Sequence, residues 1–246
     1  MFKFRDLTIV DIIPDYNMVI SCDSSGGIGN KENDVVQVDP ETVGYFATHV
    51  ALMELLATGA NPISIVNTLG VEMEDTGRRI IKGIKNALEP LNLEDDIVVT
   101  GSTEENITVS QTAMGITIIG MIEKSIWRSK KPNNNDIVVI LGIPKVGQEI
   151  IDDNGMSIMT VTLLLELLKK PYIKDILPVG SKGIAYELNE MATSNGLNYE
   201  IYDKIDIDLK KSAGPATCVI IAIESDYYED LSTFINIPIT LLGTFK

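Results

Sequence analysis

One stretch limits what this chain can fold into more than any other: the segment between Asp39 and Gly59 reads as a helix with no polar side. Asp39 followed by Pro40 is an N-cap and then a proline at the first helical position, and Gly59 after Thr58 is a C-terminal stop. Residues 40 to 58 between them are apolar nearly all round, so the helix has to be covered on all sides. Val43, Ala47, Val50, Glu54 and Ala57 fall on one face, and the opposite side, with Leu52, Leu55 and Leu56, is no more polar. A carboxylate at Glu54 must therefore be paired, protonated or bound to metal, because an isolated buried charge is strongly unfavourable. It either meets an arginine or lysine across a domain or subunit contact, or it marks a functional site.

The rest of the chain supplies enough material for such a cover. With 246 residues there is room for two modest domains or one large one, and 45% hydrophobic with 22% charged residues is an ordinary globular balance. No apolar run reaches membrane-spanning length, and the opening MFKFRDL is too charged for a signal sequence. Cys22 and Cys218, the two cysteines, offer neither a disulfide framework nor a CxxC metal spacing, so a cytoplasmic protein is expected. The net charge of -15 argues against a nucleic-acid partner and against an anionic membrane surface. Nucleotides stay possible, because Mg2+ can sit between carboxylate and phosphate oxygens.

The sharpest break in composition is SKKPNNND, Ser129 to Asp136, which separates an expected first domain of residues 1–128 from a second of residues 136–246. In the first, a strand ISIVNTLGVEM follows the apolar helix. A second helix capped by Asp75 carries Ile80, Ile81, Ile84, Ala87 and Leu88 before Pro90. DIVVTGS reads as a strand, and Ile107 to Glu123 as one long strand or two broken at Gly115. The second domain reads as strand, helix, helix, strand, helix, strand, with helices near Met159 to Lys169, Ile184 to Ser194 and Ser225 to Phe234, and Gly196 as a stop. DIVVILGI, TCVIIAIE and IPITLLGTF are its strands.

Asp23 ends the strand MVISC, on the face of Val19 and Ser21, and runs into Ser-Ser-Gly-Gly-Ile-Gly-Asn. Gly26, Gly27 and Gly29 let a backbone approach phosphate oxygens closely, or they only turn the chain around Asp23. Asp39, sixteen residues beyond Asp23, is already explained as a cap and stays a second candidate ligand. Asn67 alternates with Ile65 and Leu69 on an apolar face, so its amide needs partners. TGSTEEN, Thr100 to Asn106, brings hydroxyls and carboxylates around one glycine, as a metal or ribose site or as a solvated turn. Ser181, Lys182 and Gly183 stand at a helix start, and KKSAGPAT, Lys210 to Thr217, is another small-residue loop flanked by lysines. His49 lies in the apolar helix and reads as structural, a Cys22–His49 pair being the alternative, and no Walker A sequence occurs: Gly142 and Gly147 are followed by Gln148.

The order of Asp23, Glu54 and TGSTEEN resembles the superfamily of aminoimidazole ribonucleotide synthetase, thiamine-monophosphate kinase, selenophosphate synthetase and the hydrogenase-maturation carbamoyl dehydratase. ALMELLATGANP, Ala51 to Pro62, is similar to that family's A-V-N-D-L-A-A-M-G-A-x-P helix, with Glu54 in the metal-binding aspartate's place, and Thr100 to Thr103 is similar to its G-G-[DE]-T motif. The resemblance implies a two-domain α/β and α+β aminoimidazole ribonucleotide synthetase-like fold, paired as a homodimer through a barrel shared by the first domains. It implies an ATP- and Mg2+-dependent enzyme. Asp23 and Glu54 would be metal ligands, with Asp39 a further one. Ser102 departs from the acidic motif, so Glu104 or Glu105 would have to substitute. Nucleotide contacts would come from Gly26, Gly27, Gly29, Asn67, Gly101, Ser102 and Thr103. Acceptor contacts would come from Ser181, Lys182, Gly183, Ser212 and Gly214, with Lys182 also acting in catalysis where the family's kinases carry S-D-G. Whole segments, ALMELLATGANPISIVNTLGVEME with IPKVG and ILPVGSKGI, look most like the α-ribazole kinases of cobamide salvage, which phosphorylate a riboside hydroxyl. An amide-activating ligase of the same superfamily and a non-catalytic nucleotide sensor are the alternatives.

Overall fold

The computed structural model describes residues 1–153 and 155–246. They form two compact units, Met1–Leu56 with Ala60–Lys124, and Ala57–Gly59 with Ser125–Lys246.

In the first unit the strands are β1 (Phe2–Phe4), β2 (Leu7–Ile13), β3 (Tyr16–Gly26), the two-residue β4 (Ile28–Gly29) and β5 (Val36–Gln37). After the helix α1 (Pro40–Ala57) come β6 (Asn61–Leu69), the helix α2 (Arg78–Asn86), β7 (Val98–Thr103) and β8 (Ala113–Glu123). Six strands make one sheet in the order β1-β2-β3-β8-β6-β7, antiparallel except for the parallel pair β6–β7, while β4 and β5 pair separately. Strand alternation gives that sheet two unlike faces. Val19, Ser21, Ile65, Asn67, Ile116 and Ile118 are fully buried on one of them. The other carries Met18, Ile20, Ile119 and Met121, each half-buried, with Ile63 and Val98 exposed.

Helix α1 lies against the buried face: a Cβ on Gly120 would touch the Leu55 methyls, and Ser21 bonds Glu54. As the sequence implies, the helix begins after Asp39, whose carboxylate accepts the Glu41 amide at 2.9 Å, and ends at a Gly59 with φ +85°. Helix α2 packs along its first turns at backbone contact. A Cβ on Gly44 would collide with the Ile80 carbonyl, and one on Gly83 with the Glu41 carbonyl. The Lys82–Glu41 ion pair at 2.8 Å and the Asn86–Glu41 hydrogen bond at 2.7 Å close the rim.

Three expectations for this unit change. Asp75 does not cap α2; it sits in the irregular turn Met73–Gly77, and its carboxylate faces Arg79 at 3.6 Å. The strand through Asn67 stops at Leu69, short of Val71 to Met73. β8 starts at Ala113 and runs unbroken through Gly115, which sits opposite Ser24 on one side and Thr68 on the other, while residues 107–112 form no strand.

The second unit contains β9 (Ile137–Gly142), the short helix α3 (Gln148–Ile151), α4 (Val161–Leu168), β10 (Ile173–Pro178), α5 (Ile184–Asn195), β11 (Tyr199–Ile201), β12 (Cys218–Ile223), α6 (Tyr228–Phe234) and β13 (Ile239–Phe245). The sheet order is β10-β12-β9-β13-β11, antiparallel throughout. Every residue of β9 and β12 is buried, so the central strands are covered on both faces and show no alternation. One cover is α5, whose Ile184, Leu188, Met191 and Ala192 join Val138, Ile140, Ile220 and Leu242 in a single core. Sequence reading missed α3, β10 and β11: IKDILP mixes charge into an edge strand, and YEI is too short to show a period. Thr160 caps α4 through its hydroxyl, and Gly196, at φ +69°, stops α5 as expected.

Among the described residues no helix is long and apolar enough to cross a membrane. Because α1 and α2 meet through glycines, Gly44→Ala and Gly83→Ala should each lower stability in urea unfolding by about 1–3 kcal/mol. Gly26→Ala, where a Cβ meets nothing within 4 Å, should leave it nearly unchanged. Equal losses at all three positions would remove the close-approach explanation.

Candidate functional site

Strand register places the first group of residues. Asp23 lies opposite Ile116 of β8, Ile116 opposite Asn67 of β6, and Asn67 opposite Gly101 of β7, so the four form one row across the sheet on the face that meets α1. One step back along β3, on the same face, the fully buried Ser21 donates its hydroxyl to Glu54 Oε2 at 2.8 Å. Asp23 and Glu54, expected together from sequence, are thus placed on one face, Glu54 bonded to Ser21 and Asp23 one step further along β3. Burial pushes the Asp23 carboxyl above its ordinary range, only partly offset by a hydrogen bond from the Ser24 amide. Among the described residues Asp23 has no ion pair, which leaves a half-buried carboxylate able to take a cation. No three His, Cys, Asp or Glu side chains form a metal cage among the described residues. Mg2+ does not require one, because it is held by one or two carboxylates together with water and phosphate oxygens.

The glycine-rich segment after Asp23 is a built loop, and its organiser is a residue that sequence reading passed over. Asp34, 7% exposed, accepts the Thr112 amide at 2.8 Å, the Thr112 hydroxyl at 2.7 Å and the Lys31 amide at 2.8 Å. A Cβ on Gly29, at φ +154°, would collide with the Thr112 side chain and reach Asp34, so glycine is required there. Gly27 turns the chain at φ +71°, donates to the Thr112 carbonyl and accepts from Val35 and Val36, whereas Gly26 is open to its surroundings. Lys31 reaches out of the loop to Glu72, at 2.7 and 2.6 Å from its two oxygens. Burial alone would raise Glu72, but hydrogen bonds from Lys31 and Thr76 hold it below its ordinary range. The signal for this framework was present in GNKEND, where a lysine and an aspartate flank the turn, although neither partner is local.

Asn67 donates to the Thr100 carbonyl at 3.1 Å, and a Cβ on Gly101 would strike the Asn67 backbone and amide. Gly101 is therefore needed for the two strands to pair with Asn67 turned inward. Ser102 is exposed opposite Thr68, and the Thr103 hydroxyl donates to Glu105 at 2.8 Å. Glu105 in turn receives the Met73 amide at 2.8 Å, and Glu104 closes its own turn on the Asn106 and Ile107 amides. Asp39 both caps α1 and pairs with Arg79. Asp39 and Glu104 thus already serve local structure. Cys22 points to the face away from α1, where His49 packs on Tyr45 and Phe46, so no Cys–His pair forms.

In the second unit the two small-residue loops meet. The Ala213 amide donates to the Gly180 carbonyl at 3.1 Å, and a Cβ on Gly183, at φ +81°, would meet the backbone of Lys210 and Lys211. Ser181, Lys182 and Gly183 are brought beside Ser212 and Gly214 at one edge of the sheet. The Lys182 ammonium lies 4.0 Å above the Tyr186 ring. Two more loops join this edge through Thr217: its hydroxyl accepts the Lys145 amide at 2.9 Å, and its carbonyl accepts the Met159 amide at 2.8 Å.

Residues 5–122 match the family model for the AIR synthase related protein, N-terminal domain. Solved structures share the fold over nearly the whole chain. Thiamine monophosphate kinase from Aquifex aeolicus superposes with a TM-score of 0.68 at 15% identity, over 99% of this chain and 89% of that one. AaThiL complexed with AMPPCP and TMP gives 0.63 at 17%, over 98% and 84%. PurL of T. maritima complexed with ATP gives 0.64 at 13%, over 96% of this chain but 41% of that one, so the chain spans about two fifths of PurL. No curated protein matches the sequence significantly. The fold is the two-domain aminoimidazole ribonucleotide synthetase-like fold, mixed α/β and α+β.

The raised Asp23 carboxyl yields a pH-dependent expectation. A group that holds its proton more tightly when folded makes stability fall as pH rises from its unfolded value of 3.8 through the folded one. Asp23→Asn should therefore be at least as stable as wild type near neutrality without divalent ions, and its advantage should shrink as pH is lowered toward 3.8. Urea midpoints measured against pH test this; an advantage that grows toward acid would contradict it.

Proposed function

We propose that this protein is a Mg-ATP-dependent phosphotransferase whose first unit binds nucleotide and metal and whose second unit binds the acceptor, a riboside with a free hydroxyl. One observation carries the reading: Asp23, on a strand that runs into a built glycine loop, and Glu54, on a buried helix, present carboxylates to one face of the sheet. They do so inside the segment that matches the AIR synthase related model. The fold shared with ThiL crystallised with AMPPCP and TMP, and with PurL crystallised with ATP, supports the same assignment.

Asp23 and Glu54 are the residues that would hold magnesium. The ion, when bound, neutralises the phosphate oxygens that carry the developing charge. Ser21 keeps Glu54 oriented toward the sheet, so its carboxylate needs little reorganisation to accept a ligand. Asp34 holds the loop at Gly27 and Gly29 in a shape where backbone can approach phosphate. Of the residues on the sheet's last two strands, the exposed Ser102 is free to meet nucleotide, while Asn67 and Gly101 pack on each other and hold the strands in place. At the acceptor edge, Ser181, Gly183, Ser212 and Gly214 allow a close approach, and Lys182 supplies a cation for in-line transfer to the hydroxyl. Resemblance of whole segments makes α-ribazole the first acceptor to try, and cobamide salvage the first context.

The half-exposed apolar face of the first sheet fits a second copy of this chain, pairing as a shared barrel. Sedimentation at micromolar concentration should return the dimer mass; a monomer there would remove the pairing.

Labelled ATP and a panel of ribosides, α-ribazole included, test the reaction. A phosphorylated riboside is expected. ADP and free phosphate formed only with an amide acceptor would indicate the ligase, and Mg-ATP binding without turnover would indicate a sensor. Glu54→Gln should lower turnover by about 100-fold or more; near-native turnover would sink the scheme.

A further inference from the structure

The second unit contains one charged cluster that none of the residues considered so far explains. Lys145, in the loop after β9, is 21% exposed and pairs its ammonium with Asp153, whose side chain is 2% exposed. Asp153 also accepts the Ser157 hydroxyl, and the Ser157 amide at 3.0 Å. These donors outweigh the opposing effect of burial and hold the Asp153 carboxyl down at about 2, so it stays ionised. A carboxylate held so low is a poor general base. What it does well is fix a cation.

Four lysines belong to the loops at this edge, and they are held very differently. Lys211 bonds the half-exposed Glu149, Lys182 is exposed above Tyr186, and Lys210 is exposed. Lys211 is held at both ends by exposed carboxylates, its amide by Asp208 and its ammonium by Glu149, whereas Lys145 is held at both ends by buried groups. Its backbone amide is bound by the buried Thr217 hydroxyl, and its ammonium by the buried Asp153. Among the described residues Asp153 is the ammonium's one partner, although an ammonium carries three donors. Thr217 also joins this loop to the Ser212–Gly214 loop, through its amide on the Ala213 carbonyl at 2.9 Å. The fixed cation and the small-residue loops therefore share one edge of one sheet.

We propose that Lys145 is a phosphate-binding cation of the second unit and that Asp153 is the positioning residue that holds it. The ligand chemistry is a phosphate monoester, the class of product formed when a hydroxyl acceptor is phosphorylated. This rests on the reading that the second unit receives the acceptor, and its test is an equilibrium binding measurement that needs no turnover. An alkylammonium fixed by a buried carboxylate binds a phosphate dianion with little loss of side-chain freedom, which a free surface lysine cannot match.

The probe is ribose 5-phosphate, with inorganic phosphate beside it, titrated calorimetrically into the full chain. Lys145→Gln alone would strand a buried carboxylate and could unfold the unit. The informative variant is therefore the double change Lys145→Gln with Asp153→Asn, which removes both charges and keeps an amide pair. Wild type should bind the monoester, the double variant about tenfold or more weakly, and Lys145→Arg close to wild type. Asp153→Asn alone, with the cation present but unfixed, should fall between. Wild-type affinity in the double variant, or no binding by wild type at millimolar monoester, overturns the proposal. Should the double variant fail to fold, native protein still decides. Inorganic phosphate should slow acylation of Lys145 by acetic anhydride more than that of Lys182 or Lys210, read by mass spectrometry, and equal fractional slowing at the three lysines overturns it. A riboside panel that yields no product, together with monoester binding that depends on Lys145, would remove the kinase reading and leave this one standing.

Discussion

Helix α1 has no side that water would accept, and the first unit is what results from covering it. The sheet takes one flank, with Leu55 against Gly120, and α2 takes another so closely that glycine is needed at both Gly44 and Gly83. Glu54 lies on the half-buried stripe of this helix with Val50 and Ala57, so its carboxylate is satisfied at the margin of the packing. Ser21 does this from the neighbouring strand. The polar pair is thereby fixed at the position where β3 leads into Asp23, and the strand that satisfies the helix also delivers the second carboxylate. Packing and site geometry are set by the same contact.

The two units reach well-defined loops by different means. In the first, a single buried carboxylate, Asp34, gathers donors from its own loop and from Thr112. In the second, a hydroxyl and a carbonyl on Thr217 gather backbone amides from two other loops. Both devices satisfy buried polar groups completely, which favours one conformation over many. Neither depends on a helix or strand at the point of contact.

The parts of the fold legible in the sequence were those with a strong local signal. Asp39-Pro40 and Gly59 bounded α1 closely, Gly196 marked the end of α5, and the apolar runs of β9, β12 and β13 announced strands. Where signals were short or mixed, reading failed: β10 carries Lys174 and Asp175, and β11 is three residues long. The candidate site divides in the same way. Glu54 stood out because it contradicts its surroundings. Asp23 needed the resemblance to rise above a turn. Asp34 looked like an ordinary loop acid because its burial depends on Thr112, far along the chain, whereas Asp153 has its partners Lys145 and Ser157 close by in sequence, in a loop with no periodic pattern to mark them. Gly101 was read as a ligand-facing residue, yet the contact that demands it is with Asn67.

The bond between Asp34 and Thr112 spans 78 residues, and that separation orders events during synthesis. Every local ingredient of the glycine loop has left the ribosome long before its anchor has been made. Until β8 emerges and pairs with β3, the loop can sample only open shapes, and the closing entropy of so long a segment is met by sheet pairing rather than by the loop itself. A nascent chain therefore carries an unformed glycine loop through most of the translation of its first unit. Competence arrives late and in one step, when the last strand enters the middle of the sheet.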